Sequence, residues 1–216
     1  AILGALILLS GMLVAGLSIG LFSSIEISIE KFVMDYIAIC GVVAAPAITE
    51  FILHHFPRLT EKIAPILASI FTPIVLITLV IYLIAVIFSG KDPYTDRDFL
   101  ILFNLMLLVV MALIVFSLSE TSAGRRRKIS EVVLLALSVV TLVVDIVALS
   151  AIFYRLSEYG ITPNRVAVLG SNLLILGNLI LITIDLFRVT FRNASLDRVN
   201  VTTAKYLPVY MAWTII

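Results

Sequence analysis

Three polar side chains stand inside two long apolar runs of the chain. Asp145 is the single ionisable residue between Val132 and Tyr154, and Asn172 and Asn178 lie in the apolar run that follows. An ionisable group at the bilayer centre costs about 2.5–3.5 kcal/mol on insertion scales, and such groups usually face a bundle interior or a wet cavity. A carboxyl group beside two carboxamides in that setting can relay a proton, hold a cation or line a substrate path.

A short polar loop joins the two runs, which predicts an antiparallel hairpin whose depth can be counted from the loop. Asp145 is nine residues before Tyr154, and Asn172 and Asn178 are six and twelve residues after Val166. With a rise of about 1.5 Å per residue, Asp145 falls between the two asparagines in depth. We therefore predict that Asp145 contacts Asn172 or Asn178. The contact would serve either a relay or substrate path, or helix association at about 0.6 kcal/mol per hydrogen bond.

The loop at residues 155–165, which connects the two helices of the hairpin, is a second candidate site. Arg155 and Glu158 are three residues apart and can pair, Tyr159 can sit among the lipid headgroups, and Arg165 returns a positive charge to that level. Gly160 is placed to stop the first helix in a left-handed conformation. These residues predict a rigid, well-capped turn, and the same turn could present its two arginines and tyrosine to a ligand or partner.

Local patterns predict further details of the helix ends. Thr162 can cap the second helix of the hairpin with Pro163 at its first position, and Ser130 can cap the first helix. Asp185 and Arg188 are three residues apart and can pair within the helix, which favours a structural role for Asp185.

Composition indicates the class of protein that must hold these residues. The chain of 216 residues is 62% hydrophobic and 13% charged, and its mean hydropathy is +1.19. Soluble domains are about 45–50% apolar and about 25% charged, so the composition predicts an all-α, polytopic transmembrane helix bundle. The net charge of +1 gives no global field for nucleic acid, and a lone Cys40 excludes an intrachain disulfide.

About seven spans are visible, the last of them incomplete, and a polar connection is expected at Arg188–Tyr206. Because both ends fall within apolar sequence, we expect residues 1–216 to be one transmembrane domain of a longer protein, truncated at both ends. The expected spans are Ala1–Phe22, Phe32–Leu53, Ile63–Ser89, Phe99–Leu118, Val132–Tyr154, Asn164–Phe191 and a segment that begins near Leu207.

The distribution of positive charge predicts the orientation. The connections after the second, fourth and sixth spans hold ten of the fifteen Lys and Arg residues. Because cytoplasmic loops are enriched in Lys and Arg, these connections and the amino end are expected in the cytoplasm and the hairpin loop outside. Two glycosylation tripeptides, at 193–195 and 200–202, would then be unused. The alternative is that they are used and the orientation is inverted. The run Arg125, Arg126, Arg127 and Lys128 is expected to set topology and to contact anionic lipid headgroups.

Sequence motifs for enzymes and metals are missing. The chain contains no nucleophile elbow, phosphate loop, zinc motif or dinucleotide fingerprint, and adjacent His54 and His55 point in different directions on a helix. We therefore expect no catalytic residues, no metal and no cofactor.

Two motifs resemble a known family. They are Arg-x-x-x-Tyr-Gly-x-Thr-x-x-Arg at residues 155–165 and Tyr-Leu-Pro-Val-Tyr-x-x-Trp at residues 206–213, separated by an apolar span. Together they resemble a family of bacterial multi-pass membrane proteins known as domain of unknown function 4153. The resemblance implies an inner-membrane location and brings no established activity.

Three functional hypotheses follow. The first is a transport-related or channel-like module that uses Asp145 and the two asparagines. The second is a non-catalytic scaffold or partner-binding component that uses the outside loop and the basic inside loops. The third, an intramembrane enzyme, is the weakest because no catalytic constellation is present.

Overall fold

The apolar runs form helices because a backbone in lipid must satisfy its hydrogen bonds within its own segment. The computed structural model describes residues 2–55, 63–89, 97–121, 128–192 and 194–215, and these ranges contain helices and no strand. The second helix includes a π-helical turn at Val33–Ala38. The helices are α1 (Ile2–Ser23), α2 (Glu30–Phe32, Val33–Ala38 and Ile39–His55), α3 (Ile63–Ser89), α4 (Arg97–Thr121), α5 (Lys128–Tyr159), α6 (Pro163–Arg192) and α7 (Asp197–Ile215).

Six of these helices, α1 to α6, are long and apolar enough to cross a membrane, and they match the first six expected spans within a few residues. The all-α polytopic bundle is therefore confirmed. The outer surface of the described helices is apolar as well, with Ile87 and Phe88 exposed by 76% and 83%. A surface of this kind suits lipid rather than water.

Two predictions about helix ends were wrong. The expected polar connection at Arg188–Tyr206 is largely helical, because α6 continues to Arg192 and α7 begins at Asp197, whose amide donates to the Ser195 hydroxyl at 3.3 Å. Ser130 does not cap α5, which begins two residues earlier at Lys128. In both places polar residues with a buried helical face continue the helix beyond the apolar run.

Helix α4 lies at the centre of the bundle and contacts α1, α3, α5, α6 and α7. Its buried residues recur at helical spacing, at Phe103, Leu107, Val110 and Ile114, each with no exposed surface. The ring of Phe103 meets the edge of the Tyr82 ring from α3 at 5.7 Å between centroids. This face organises the core against which α5 and α6 are held.

The α6–α7 interface depends on two glycines of α6. A Cβ atom at Gly170 would overlap the Trp213 ring, and one at Gly177 would lie 2.7 Å from the Tyr206 hydroxyl. Trp213 also donates its indole N–H to the Ser171 hydroxyl at 3.0 Å. Small residues at helix–helix interfaces within membranes allow close helix contact in this way. The aromatic residues of α7 are thereby seated on α6, which fixes the depth of α7 along it.

We predict that Gly170→Ala separates α7 from α6, because the new methyl group meets an aromatic ring with little room to move. Overpacking of this kind costs about 1–3 kcal/mol. Gly41→Ala is the matched control, since nothing lies within 4 Å of a Cβ atom at that helical glycine. Thermal unfolding of the two variants in detergent should show a lower midpoint for Gly170→Ala alone. Equal midpoints would contradict the close packing.

Candidate functional site

The three polar residues predicted to form an intramembrane site are all buried inside the bundle. Asp145 on α5 and Asn172 on α6 have no exposed surface, and Asn178 on α6 is 1% exposed. Asp145 lies close to the middle of α5, a helix of 32 residues. The extensive α5–α6 interface brings these helices together, as the predicted hairpin requires. We refer to Asp145, Asn172, Asn178 and Tyr210, which joins them from α7, as the polar cluster.

The contact predicted between Asp145 and an asparagine does not take the form of a hydrogen bond. Neither carboxylate oxygen of Asp145 has a hydrogen-bond partner among the described residues, and the same holds for both amide atoms of Asn172. Asn178 instead donates its amide to the Tyr210 hydroxyl at 3.1 Å, while its own Oδ1 atom has no partner there.

Tyr210 belongs to the cluster although it was not predicted from the sequence. Its hydroxyl accepts the bond from Asn178 and lies within electrostatic range of the Asp145 carboxyl group. Its ring packs against the Tyr206 ring at 5.2 Å between centroids. Tyr210 and Tyr206 both belong to the second family-like motif, and this recurrence of aromatic residues was the signal available in the sequence.

Five buried polar atoms of the cluster thus have no protein partner in the described part of the chain. Leaving such an atom unpaired costs about 1–3 kcal/mol, and native proteins rarely tolerate several of them together. Four of the five are oxygens, two from Asp145 and one from each asparagine. A carboxyl group and carboxamide oxygens can accept bonds from water or a hydrated proton, and they are ligands of hard cations. Chemically, these groups can accept a small polar or positively charged species.

Polar residues extend from Asp145 along one face of α5. Glu131, Ser138 and Asp145 are seven residues apart and are exposed by 4%, 0% and 0%. The Ser138 hydroxyl donates to the Leu135 carbonyl within the helix, and the Glu131 Oε1 atom has no partner among the described residues. We did not predict this stripe, because Glu131 also suits the positive end of a helix. The seven-residue spacing would have revealed it.

Asp185 occupies a different environment, as predicted for a structural residue. Its Oδ1 atom lies 3.4 Å from Arg188 Nη1 and 3.6 Å from Arg198 Nε, and its Oδ2 atom accepts a 2.6 Å bond from the Thr202 hydroxyl. The predicted Asp185–Arg188 pair is confirmed. Asp185 and Asn178 share a face of α6, and both bind α7. Asp185 is therefore a fully partnered carboxylate, in contrast to Asp145.

The turn of the hairpin loop at residues 155–165 has the predicted backbone. Gly160 adopts a left-handed conformation with φ of 76°, and α6 begins at Pro163. The Thr162 hydroxyl accepts a bond of 3.4 Å from the Arg165 amide, as a cap does. Arg165 also donates through Nη1 to the carbonyls of Tyr159 and Gly160, each at 2.7 Å. One guanidinium thus fastens the turn to the helix that follows it.

The polar side chains of this loop do not all face the same way. Glu158 and Tyr159 are exposed. The pair between Arg155 and Glu158 stays a prediction. Arg155 and Arg165 both line a pocket of about 340 Å³ between α4, α5 and α6. Asn104, whose Oδ1 atom is buried without a partner in the described residues, lines the same pocket.

The remaining predicted features concern the basic run and metal binding. Arg125, Arg126 and Arg127 lie outside the described residues, while Lys128 is the exposed first residue of α5. Within the described residues no group of three or more His, Cys, Asp or Glu side chains could hold a metal ion.

The helices, their apolar outer surface and the buried polar cluster define a multi-pass α-helical membrane protein. The chain belongs to the family described as "Domain of unknown function (DUF4153)", whose family model matches residues 1–210. No curated protein and no solved structure matches the chain at a significant level.

We predict that Asp145→Leu leaves the protein as stable as the natural chain or makes it more stable, because the carboxyl group makes no hydrogen bond that the change would remove. The same substitution at Asp185 should be destabilising by about 1–3 kcal/mol, because it leaves Thr202 and two arginines without their acceptor. Unfolding midpoints of both variants in one detergent test the contrast. A larger loss for Asp145→Leu than for Asp185→Leu would show that Asp145 holds the helices together.

Proposed function

We propose that this protein is a transport-related membrane module in which Asp145 takes up and releases a proton or a small cation. The observation that carries the proposal is the set of five buried, unpartnered polar atoms that Asp145, Asn172 and Asn178 contribute. Polar residues inside membrane spans are expensive and mark ion pathways and proton relays in many transporters. A carboxyl group retained there without structural partners has a use other than holding helices together.

The chemistry of the polar cluster suits such an exchange. Asp145 is costly when ionised in apolar surroundings, and it can avoid that cost by carrying a proton or by binding a cation. The asparagine oxygens and the Tyr210 hydroxyl can complete the coordination of the incoming species or of its water. The Asn178–Tyr210 bond joins α6 to α7. Binding of a proton or cation in the polar cluster would therefore also change the contact between these two helices.

Features on both sides of Asp145 support a route to it. Towards one membrane surface, Ser138 and Glu131 follow on the same buried face of α5. Towards the other, the pocket beside Arg155 and Arg165 ends on Ile152, which is seven residues from Asp145 and 2% exposed. Seven residues of helix span about 10 Å. Ile152 would then be the apolar barrier between the pocket and the polar cluster.

We further propose a bacterial inner-membrane location with the amino end in the cytoplasm, supported by the Lys and Arg distribution and the family resemblance. In this orientation the Arg155–Arg165 loop faces outside. The basic run at 125–128 faces anionic lipid headgroups on the cytoplasmic side, where each cation near the surface contributes about 1 kcal/mol. We propose a non-enzymatic role, because the polar cluster pairs no nucleophile with a base.

A second candidate function is a membrane scaffold that binds a partner through the outside loop. The rigid turn fastened by Arg165 presents Tyr159 and Ile161, which are 62% and 78% exposed. Aromatic and aliphatic side chains on a pre-organised turn lose little entropy on binding. In this case the polar cluster would carry no flux.

The test is ion movement across a membrane that contains the purified protein. Proteoliposomes that contain a dye for the ion tested (H⁺, Na⁺ or K⁺) and are given a gradient of that ion should show flux with the natural chain. Asp145→Asn should lose tenfold or more of that flux, on the scale expected of an essential relay group. Asp145→Glu should keep part of the flux because it keeps the carboxyl group.

Asp35→Asn is the control, since it removes an exposed carboxylate from α2. Flux that is unchanged in Asp145→Asn, or absent from the natural chain with protons, Na⁺ and K⁺ alike, would contradict the proposal and favour the scaffold.

A further inference from the structure

A groove between α6 and α7 combines positive charge with a partly apolar lining. It has a volume of about 530 Å³, and its polar side chains include Arg188, Arg198, Lys205 and Thr202. Three of these side chains are positive and only Asp185 among the lining residues is negative, which leaves a net charge of +2. The groove lies beside Asp185, about two helical turns along α6 from the polar cluster, and does not depend on the relay.

The basic side chains of the groove have N–H donors that their contacts with Asp185 do not use. Arg188 and Arg198 contact Asp185 through one nitrogen each, and their side chains remain 42% and 58% exposed. A guanidinium carries five N–H donors in a rigid fork that matches phosphate oxygens. Lys205 is exposed and has no ion-pair partner among the described residues. Asp185 thus pre-orients two arginines toward an anion without neutralising the groove.

Part of the lining of the groove is apolar. Leu181, Ile184 and Val201 line it, and the first two lie on the lipid-facing surface of α6, one to two turns before Arg188. One turn of helix rises about 5.4 Å, so on α6 the apolar side chains and Arg188 follow one another along the helix axis. On α7 the register set by Thr202–Asp185 and Tyr210–Asn178 places Lys205 beside the apolar part, and its long side chain can extend to the basic part. A soluble anion would use the basic part alone. A molecule with an acyl chain below a phosphate group would use both.

We propose that this groove binds the phosphate headgroup of an anionic phospholipid, with the upper part of an acyl chain along Leu181 and Ile184. Basic pockets between helices at a membrane surface are suited to such headgroups. The Thr202 hydroxyl already donates to Asp185, so Arg188, Arg198 and Lys205 supply the contacts to phosphate. A bound lipid would join the end of α6 to the start of α7, next to the short connection between them.

The test compares the binding of phosphatidylglycerol and phosphatidylcholine to the whole purified chain in a neutral detergent. The natural chain should prefer phosphatidylglycerol. The double variant Arg198→Gln, Lys205→Gln should lose about tenfold or more of that preference, since each basic residue near the headgroup contributes severalfold. Arg188 is left in place to keep a partner for Asp185.

Two matched variants make the outcome decisive. Lys31→Gln, Arg192→Gln removes the same charge from exposed positions outside the groove and should keep the preference. Arg198→Lys, Lys205→Arg retains the charge and should keep most of it. Equal losses in both neutralised variants would overturn the site in favour of general surface charge. Complete displacement of the lipid by inorganic phosphate would overturn the lipid assignment and leave a soluble-anion site.

Discussion

The close approach of α7 to α6 is the contact on which the functional arrangement depends. Gly170 leaves room for the Trp213 ring, and Gly177 leaves room for the Tyr206 hydroxyl. With these two points fixed, Tyr210 meets Asn178 and Thr202 meets Asp185. The Asn178–Tyr210 contact of the polar cluster and the groove beside Asp185 are therefore set by one interface, although they lie on different parts of α6. Helix α7 is too polar to be counted as a membrane span by its composition. Its aromatic side chains nevertheless hold it against the bundle, because they pack where α6 has glycines.

The apolar surroundings make the unpartnered atoms of the polar cluster energetically costly. On a water-exposed surface, an unpartnered carboxyl group is ordinary and calls for no explanation. Inside a membrane bundle the same group is expensive, and Asp185 shows how this chain satisfies a carboxylate that serves structure. Asp145 has none of these partners, which separates its role from that of Asp185. The contrast between two aspartates on adjacent helices is the main support for a relay or cation site.

Much of this structure could be predicted because a few local rules decide it. The apolar runs set the first six helices, and Gly160, Thr162 and Pro163 set the turn between α5 and α6. The Asp185–Arg188 pair followed from spacing within one helix. Each of these features depends on residues close together in the chain, whose geometry the backbone fixes.

The features that could not be predicted depend on contacts between distant parts of the chain. Trp213 and its partner Ser171 are 42 residues apart. The start of α7 is polar in composition, so its sequence does not reveal the packing that stabilises it. Asp145 was predicted to contact an asparagine of the next helix, yet the hydrogen bond of the Asn178 amide goes to Tyr210, 32 residues away in the chain. Rotation of side chains about a helix axis decides such matters, and counting residues gives only the level in the membrane.

Water accessibility at position 145 tests the central claim most directly. A cysteine replaces Asp145 in a chain with Cys40 changed to alanine, and a small charged thiol reagent is applied from each side of the membrane. Cysteine at exposed Ser157 serves as the positive control, and cysteine at Ala148, fully buried one turn along α5, serves as the dry control. We predict labelling at 145 and protection at 148. Protection of both positions from both sides in the folded protein would contradict the proposed role of Asp145, because a water-filled path to this residue is what that role requires.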